Sequence, residues 1–308
     1  MQEIYQKTIS NSVQLEGVGL HSGKTSNIKI LPANEDHGIV FKRIDLKKNN
    51  LIKAKYSNVS STKLCTTLKN EHGAQVSTVE HLLASLYCVG IDNVLIEINC
   101  SEVPIMDGSA KDFLDVFRTV KIVSQTKKRK YLKVTKKIEF VDDGRLISLE
   151  PSDSSFEVEF ELNYENKIIG KQKNKVNFSE NDLSDVVNSR TFCLYSDIEK
   201  IKKAGLAKGG SLDNAVVIDK DKVLNKDGLR NQKEFVNHKI LDLAGDFFLS
   251  GHRILGKVKC SQGGHGLTNT FLRKILANSS FMKFFEVNDA FVNKKIKSDN
   301  DLKLAVNA

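Results

Sequence analysis

No CxxC pair occurs in the sequence, although it has five cysteines, at positions 65, 88, 100, 193 and 260. An odd number of scattered thiols argues against a disulfide framework and for a reducing compartment. The opening MQEIYQK lacks the apolar core of a secretory signal, and no apolar run approaches the length of a membrane span. A cytoplasmic protein is expected, with at most transient contact to a membrane surface. The chain also lacks GxxxxGK[ST], which discounts a P-loop in its Gly-rich turns LAKGGSLDNA and SQGGHGLTN. A basic-aromatic surface motif is missing as well, so net charge alone would have to support a nucleic-acid binder, and none is expected.

What is present fits a globular protein. The 308 residues are 40% hydrophobic and 28% charged, enough for one large domain or two ordinary ones. A net charge of +9 permits nucleic acid, an anionic membrane surface or a phosphate-bearing ligand as partner, without choosing among them. The lysines are scattered. Their densest cluster, KKRK at 127–130, reads as a solvated linker rather than a binding patch.

Extended runs dominate the first part: SVQLEGVGL, SNIKILPA, GIVFKRID, and TKLCTTLKNEHGAQVSTV around a turn at Glu71–Gly73. A helix over STVEHLLASLYCVG, a strand over DNVLIEINC and a short helix over KDFLDVFRTV follow. SQTKKRK reads as a domain linker. The order then recurs: β-rich YLKVTKKIEF, GRLISLEP and SFEVEFELNY, partly helical segments near 181–205, a strand AVVIDKDKVLN, a long helix at about 231–250, the strand RILGKVKC and a helix LTNTFLRKILANSS. Strands then helices, twice, predicts two α+β halves of similar build. The tail at 296–308 reads as frayed.

His238, Asp242 and Asp246 lie four residues apart in EFVNHKILDLAGD and so stack on one helix face. Such a column is either an ion-paired stripe or part of a cation site, which needs a third ligand from the remaining histidines. Glu80 and His81 are adjacent in STVEHLL. Ser77 and Glu80 match a capping box. Alternatively, if His81 held a metal, Glu80 would lie beside it, placed to take a proton from water. His265, between glycines, is either a general acid or an exposed loop residue.

Taken together, VGLHSG (18–23), LCTTL and STVEHLLASL (64–86), GIDNVLIEIN (90–99), VPIMDGSA (103–110), SRTFCLY (189–195), KGGSLDNAVV (208–217), FVNHKILDLAGD (235–246) and GGHGLTN (263–269) resemble the UDP-3-O-acyl-N-acetylglucosamine deacetylases, the zinc amidases of lipid A synthesis. The motifs fall in the family's order over nearly the whole chain.

The resemblance implies an α+β fold of two similar domains, with helices packed between two sheets and one small insert per domain. The domains would span 1–124 and 131–295, the second insert about 193–220. It implies one catalytic zinc per chain, with ferrous iron as the alternative ion, held by His81, His238 and Asp242. Glu80 would be the general base, His265 the general acid, Asp246 its charge partner, and Thr191 an oxyanion donor. Lys239 and Phe192 would contact substrate, with Leu64 and Cys65 in the cleft wall. Ile198, Gly210, Ser211, Ala215 and Val217 would line an apolar passage for the acyl chain. The implied partner is a small acylated UDP-sugar, and the implied state a monomer. Gln262 departs from the pattern, since a basic residue commonly stands three before the acid histidine, and Lys257 and Lys259 are the nearby substitutes. A zinc amidase of the same fold acting on another N-acetylated sugar is the rival reading.

Overall fold

The computed structural model describes residues 3–153 and 155–286, so the tail expected to fray lies outside the described residues. Among the described residues there are six α-helices: α1 (Glu80–Val89), α2 (Lys111–Arg118), α3 (Ser184–Val187), α4 (Tyr195–Lys203), α5 (Glu234–Phe248) and α6 (His265–Leu276). Among the described residues no helix is long and apolar enough to cross a membrane.

Two sheets carry the architecture, and they repeat one topology. In the first, the central strand Val94–Ile98 runs antiparallel to Thr25–Pro32 and parallel to Ile39–Arg43. In the second, the central strand Arg253–Ser261 runs antiparallel to Arg145–Pro151 and parallel to Phe156–Asn163. Each flanking strand then pairs antiparallel with a neighbour: Val13–Val18, Leu51–Lys53, Ile138–Asp142 and Lys171–Asn177. The first start of the second central strand also pairs with Lys130–Val134, which in turn holds Met282–Glu286. Chain order matches too: α1 precedes the first central strand and α2 follows it, as α5 precedes the second and α6 follows it. This is the expected α+β fold built twice.

Alternation of apolar and polar residues places one face of each sheet inward, as in Thr25–Pro32. Helix α5 is different. Every one of its residues except Lys239 is buried, and α1 is buried from Glu80 through Tyr87. A helix covered all round belongs inside a core rather than on its surface. Gly245 sets the closeness of the two: a Cβ there would stand 2.1 Å from the Glu80 carbonyl oxygen and 3.1 Å from the Ala84 nitrogen. No residue but glycine permits that approach. Small sheets complete each half, Val59–Ser61 with Thr67–Lys69 and Gln75–Val76 in the first, and Phe192–Leu194 with Val216–Asp219 and Lys222–Val223, beside α4, in the second.

Four local expectations fail. SQTKKRK is not a linker, because Ile122–Lys128 forms a strand paired with Tyr5–Ile9. The Glu35 carboxylate accepts the Thr126 and Lys127 amides there, and Gln125 donates to the Ala33 carbonyl. Nor is KKRK wholly solvated: Arg129 is buried and donates to Asp92, Glu3 and the Gly90 carbonyl. The capping box is absent. Helix α1 starts at Glu80 behind Val79, Ser77 donates to the Ser101 carbonyl, and the Glu80 carboxylate turns to the Thr66 amide instead. His265 is not in a loop but opens α6, with Gly264 extended before it.

Candidate active site

The two core helices cross with their polar residues facing one another. His81 and His238 meet edge to face, ring centroids 5.0 Å apart. Each Nε2 lies 3.4 Å from Asp242 Oδ1. One ligand atom from each of the three residues lies within 4.8 Å of the others, and all three residues are buried. A cation fits this set for three reasons. Asp242 Oδ1 is buried without a hydrogen-bond partner, an expensive state for a carboxylate left to itself. His238 Nδ1 faces the Ser189 carbonyl at 3.0 Å, which fixes the proton there and leaves the Nε2 lone pair toward the cluster. Burial, against the pull of Asp242, pushes the His238 imidazole down to about 3, so the ring is neutral, the form that could ligate a cation. Burial would raise the Asp242 carboxyl, but the charge of Lys239 and a hydrogen bond from His81 outweigh it and hold it well below the usual range. Lys239 Nζ donates to Asp242 Oδ2 at 3.1 Å.

A carboxylate and an imidazole flank the cluster. Glu80 Oε1 stands 3.8 Å from His265 Nε2. On its other side, His265 Nδ1 is 2.7 Å from Asp246 Oδ2. Burial opposes the charged imidazole, yet Asp246 and then Glu80 raise its pKa to about 10. Burial raises the Glu80 carboxyl against the pull of His265 and His81. Thr66 ties the two carboxylates together: its amide donates to Glu80 Oε2 at 3.0 Å and its hydroxyl to Asp246 Oδ1 at 2.6 Å.

These groups open onto a cavity of about 520 Å³. Thr191, Phe192, Lys239, Leu64 and Cys65 are all in its lining. The backbone holds Thr191 between the Gly108 carbonyl and the Val216 amide. Phe192 packs edge-on to Phe235, with Lys239 Nζ 5.8 Å from its centroid. Leu64 is half exposed, in a left-handed backbone conformation. Burial, with Glu80 adding, pushes the Cys65 thiol up to about 12, and it stands outside the three-residue cluster.

Five expected contacts are not brought there. Ile198, Gly210, Ser211, Ala215 and Val217 lie outside the lining. Gly210 and Ser211 are exposed, whereas Ala215 and Val217 are buried, Val217 in register with Cys193. The apolar residues lining this side are Leu20, Leu194 and Ile201. The substitutes considered for Gln262 also fail: Lys257 and Lys259 lie near Glu157 and Glu150, outside the lining. Gln262 itself exchanges two 2.6 Å hydrogen bonds with the Asn163 backbone. The cation that reaches this end is Arg145, at the rim of the cavity and of an adjoining one that also includes Lys239. The sequence alone assigns no role to Thr66, Ser189, Arg145 or Tyr164, the last of which lines both cavities. The first two act through the backbone or one short hydroxyl, which no spacing reports.

A buried His-His-Asp set with a carboxylate and a charged imidazole beside it is the equipment of a metal-dependent hydrolase. Comparison with known proteins is specific about which. The family described as LpxC, UDP-3-O-acyl N-acetylglycosamine deacetylase, matches residues 6–277, and the chain belongs to it. The UDP-3-O-acyl-N-acetylglucosamine deacetylase of Shewanella violacea is 42% identical over 277 residues, 89% of this chain and 90% of that protein. Those of Pseudoalteromonas translucida and Pasteurella multocida are each 40% identical, over 90% and 93% of this chain and 92% and 94% of theirs.

Proposed function

We propose that this enzyme removes the N-acetyl group of a UDP-3-O-(3-hydroxyacyl)-N-acetylglucosamine, releasing acetate and the free sugar amine, the committed step of lipid A synthesis. One observation carries the reading: in a chain of this family, His81, His238 and Asp242 converge beside the Glu80–His265 pair on one cavity. Two nitrogens and one carboxylate oxygen suit zinc, with ferrous iron as the alternative. When bound, the ion supplies a Lewis acid that acidifies water and polarises a carbonyl.

Glu80, buried and held by the Thr66 amide, accepts the proton of the attacking water. His265, kept cationic by Asp246, gives its Nε2 proton to the departing amine nitrogen. Thr191 donates to the carbonyl oxygen as it gains charge. Lys239 and Arg145 meet the diphosphate. Leu20, Leu194 and Ile201 receive the acyl chain, with Val217 backing Cys193. In this reading residues 1–124 furnish Glu80 and His81, and residues 131–295 the remaining groups, in a cytoplasmic monomer.

Dialysis against a strong chelator is expected to abolish acetate release from the acylated UDP-sugar, and one equivalent of zinc to restore it. Full activity in demonstrably metal-free protein would overturn the mechanism. Equal turnover of N-acetylated sugars lacking the nucleotide and the acyl chain would overturn the substrate.

A further inference from the structure

A second cavity, of about 430 Å³, lies where the two halves meet and shares no lining residue with the first. Lys53 and Lys55 reach it from the first half, and Lys130, His252 and Arg253 from the second. Five cations line it, counting Arg129, against the carboxylates of Asp36 and Asp92. Both carboxylates are already engaged. Asp92 Oδ2 accepts from the Lys7 amide and twice from Arg129, and Asp36 takes Lys127 and Gln6. The ammonium groups of Lys53, Lys55 and Lys130 have no hydrogen-bond or salt-bridge partner among the described residues.

Unpaired lysines on an open surface are ordinary, because water solvates them. Arg253 is not in that position. Its Nε and Nη2 are buried and make no hydrogen bond, with Asp92 Oδ1 3.6 Å from Nε. Its guanidinium is stacked over Tyr87, 4.3 Å from the ring centroid, which holds the plane in place. Nε is ion-paired with Asp92, but Nη2 has no acceptor in the protein, and a buried donor in that state calls for one. A concave wall with excess positive charge and waiting N–H groups is built for an anion with several oxygens.

We propose that this inter-half cavity binds a phosphate-bearing anion, which bridges Lys53 and Lys55 of one half to Lys130 and Arg253 of the other. The site does not depend on the reaction assigned to the first cavity. His252, whose ring N–H donates to the Lys130 backbone carbonyl, lies inside it as a reporter. Burial, with the charges of Lys130 and Lys55, lowers its pKa, and Asp36 acts the other way. An anion placed among those lysines raises it.

Inorganic pyrophosphate is the probe, titrated into the metal-loaded enzyme at low salt. Binding is followed by calorimetry and by NMR of the His252 ring, which separates this cavity from the substrate cleft. In the wild type the His252 pKa is expected to rise on saturation. Lys53→Gln/Lys55→Gln/Lys130→Gln replaces three exposed residues, so the fold and deacetylation are expected to be unaffected. It is expected to weaken the His252-linked binding by at least about tenfold, a loss of about 1.4 kcal/mol. The control Lys47→Gln/Lys48→Gln/Lys69→Gln removes equal charge elsewhere and is expected to leave that binding in place. Sedimentation with phosphatidylglycerol vesicles, against phosphatidylcholine ones, assigns the source of the phosphate. Binding that the first triple variant alone abolishes points to a lipid headgroup, and response to pyrophosphate alone points to a soluble phosphate. If neither ligand moves His252, or if both triple variants lose binding equally, the proposal is wrong.

Discussion

Helices α1 and α5 hold equivalent places in the two halves, each leading into the central strand of its sheet, yet they carry different chemistry. Helix α1 brings Glu80 and His81 in its first turn and is otherwise apolar apart from Ser85 and the Tyr87 hydroxyl. Helix α5 brings His238, Lys239, Asp242 and Asp246 along two turns of one side. Neither set is complete. In the mechanism proposed above, the base and one metal ligand come from one half, and two ligands and the partner of the acid from the other. A repeated scaffold therefore gives a site only at the crossing of its two equivalent helices. What must be exact is the distance between them, more than the geometry within either.

The strongest way to test that division is to disable the contribution of α1 without touching the ligands. Glu80→Gln keeps the size of the side chain and its contact with the Thr66 amide. Deacetylation is expected to fall by about 10²–10⁴, the usual contribution of a positioned base. Metal analysis should still find one ion per chain. A variant that loses its metal would make Glu80 a ligand and move the boundary between the two contributions.

The crossing itself is tested next. Gly245→Ala puts a methyl group where only 2.1 Å separates it from the Glu80 carbonyl oxygen. The helices must part, at a cost of about 1–3 kcal/mol for overpacking. Denaturant unfolding should show that loss, and metal affinity should drop with it, because His81 moves away from His238 and Asp242. A variant that is destabilised but binds metal as the wild type does would show that the helices can shift without opening the site.

Much of this was legible from residues, for reasons that differ by segment. The column His238, Asp242, Asp246 follows from the period of a helix, and α5 appears where its apolar residues predict it. Strands such as Val94–Ile98 announce themselves by alternation. Lys171–Asn177 does not, since KQKNKVN has almost no apolar residue. It is held by backbone pairing and by Lys171, Lys173 and Lys175 lying against Glu161, Glu159 and Glu157 of the next strand. Cross-strand charge of that kind is invisible until the strands are paired. Thr66 was hidden for a similar reason. It contacts Glu80 and Asp246, the latter 180 positions away in the chain, through one amide and one hydroxyl. The passage that the resemblance implies around 210–217 has no counterpart in spacing or exposure, since Gly210 and Ser211 face solvent and Ala215 is packed.

The mildest test concerns the group that α5 lends to the acid. Asp246 faces His265 Nδ1 at 2.7 Å, and Glu80 lies 3.8 Å from the other nitrogen. Burial alone would favour the neutral ring, so it is these carboxylates that raise the His265 pKa to about 10. If His265 is the acid, as proposed, its charged form is lost as pH rises through that value, and the alkaline limb of kcat/KM is expected to follow it. Asp246→Asn removes the negative charge but leaves an oxygen that accepts from Nδ1–H. His265 stays oriented while its charged form loses its main support, so the limb is expected to move to lower pH. The rate well below the limb should change least of the three variants. Thr66→Val is the matched comparison: it deletes the 2.6 Å hydrogen bond to Asp246 and no charge. Its limb should stay closer to that of the wild type than the limb of Asp246→Asn. The limbs belong to a coupled site, so the comparison rests on their order rather than on any one value. Equal displacement by both variants would mean that Asp246 acts by position alone, and that the charge on α5 does not tune the acid at the start of α6.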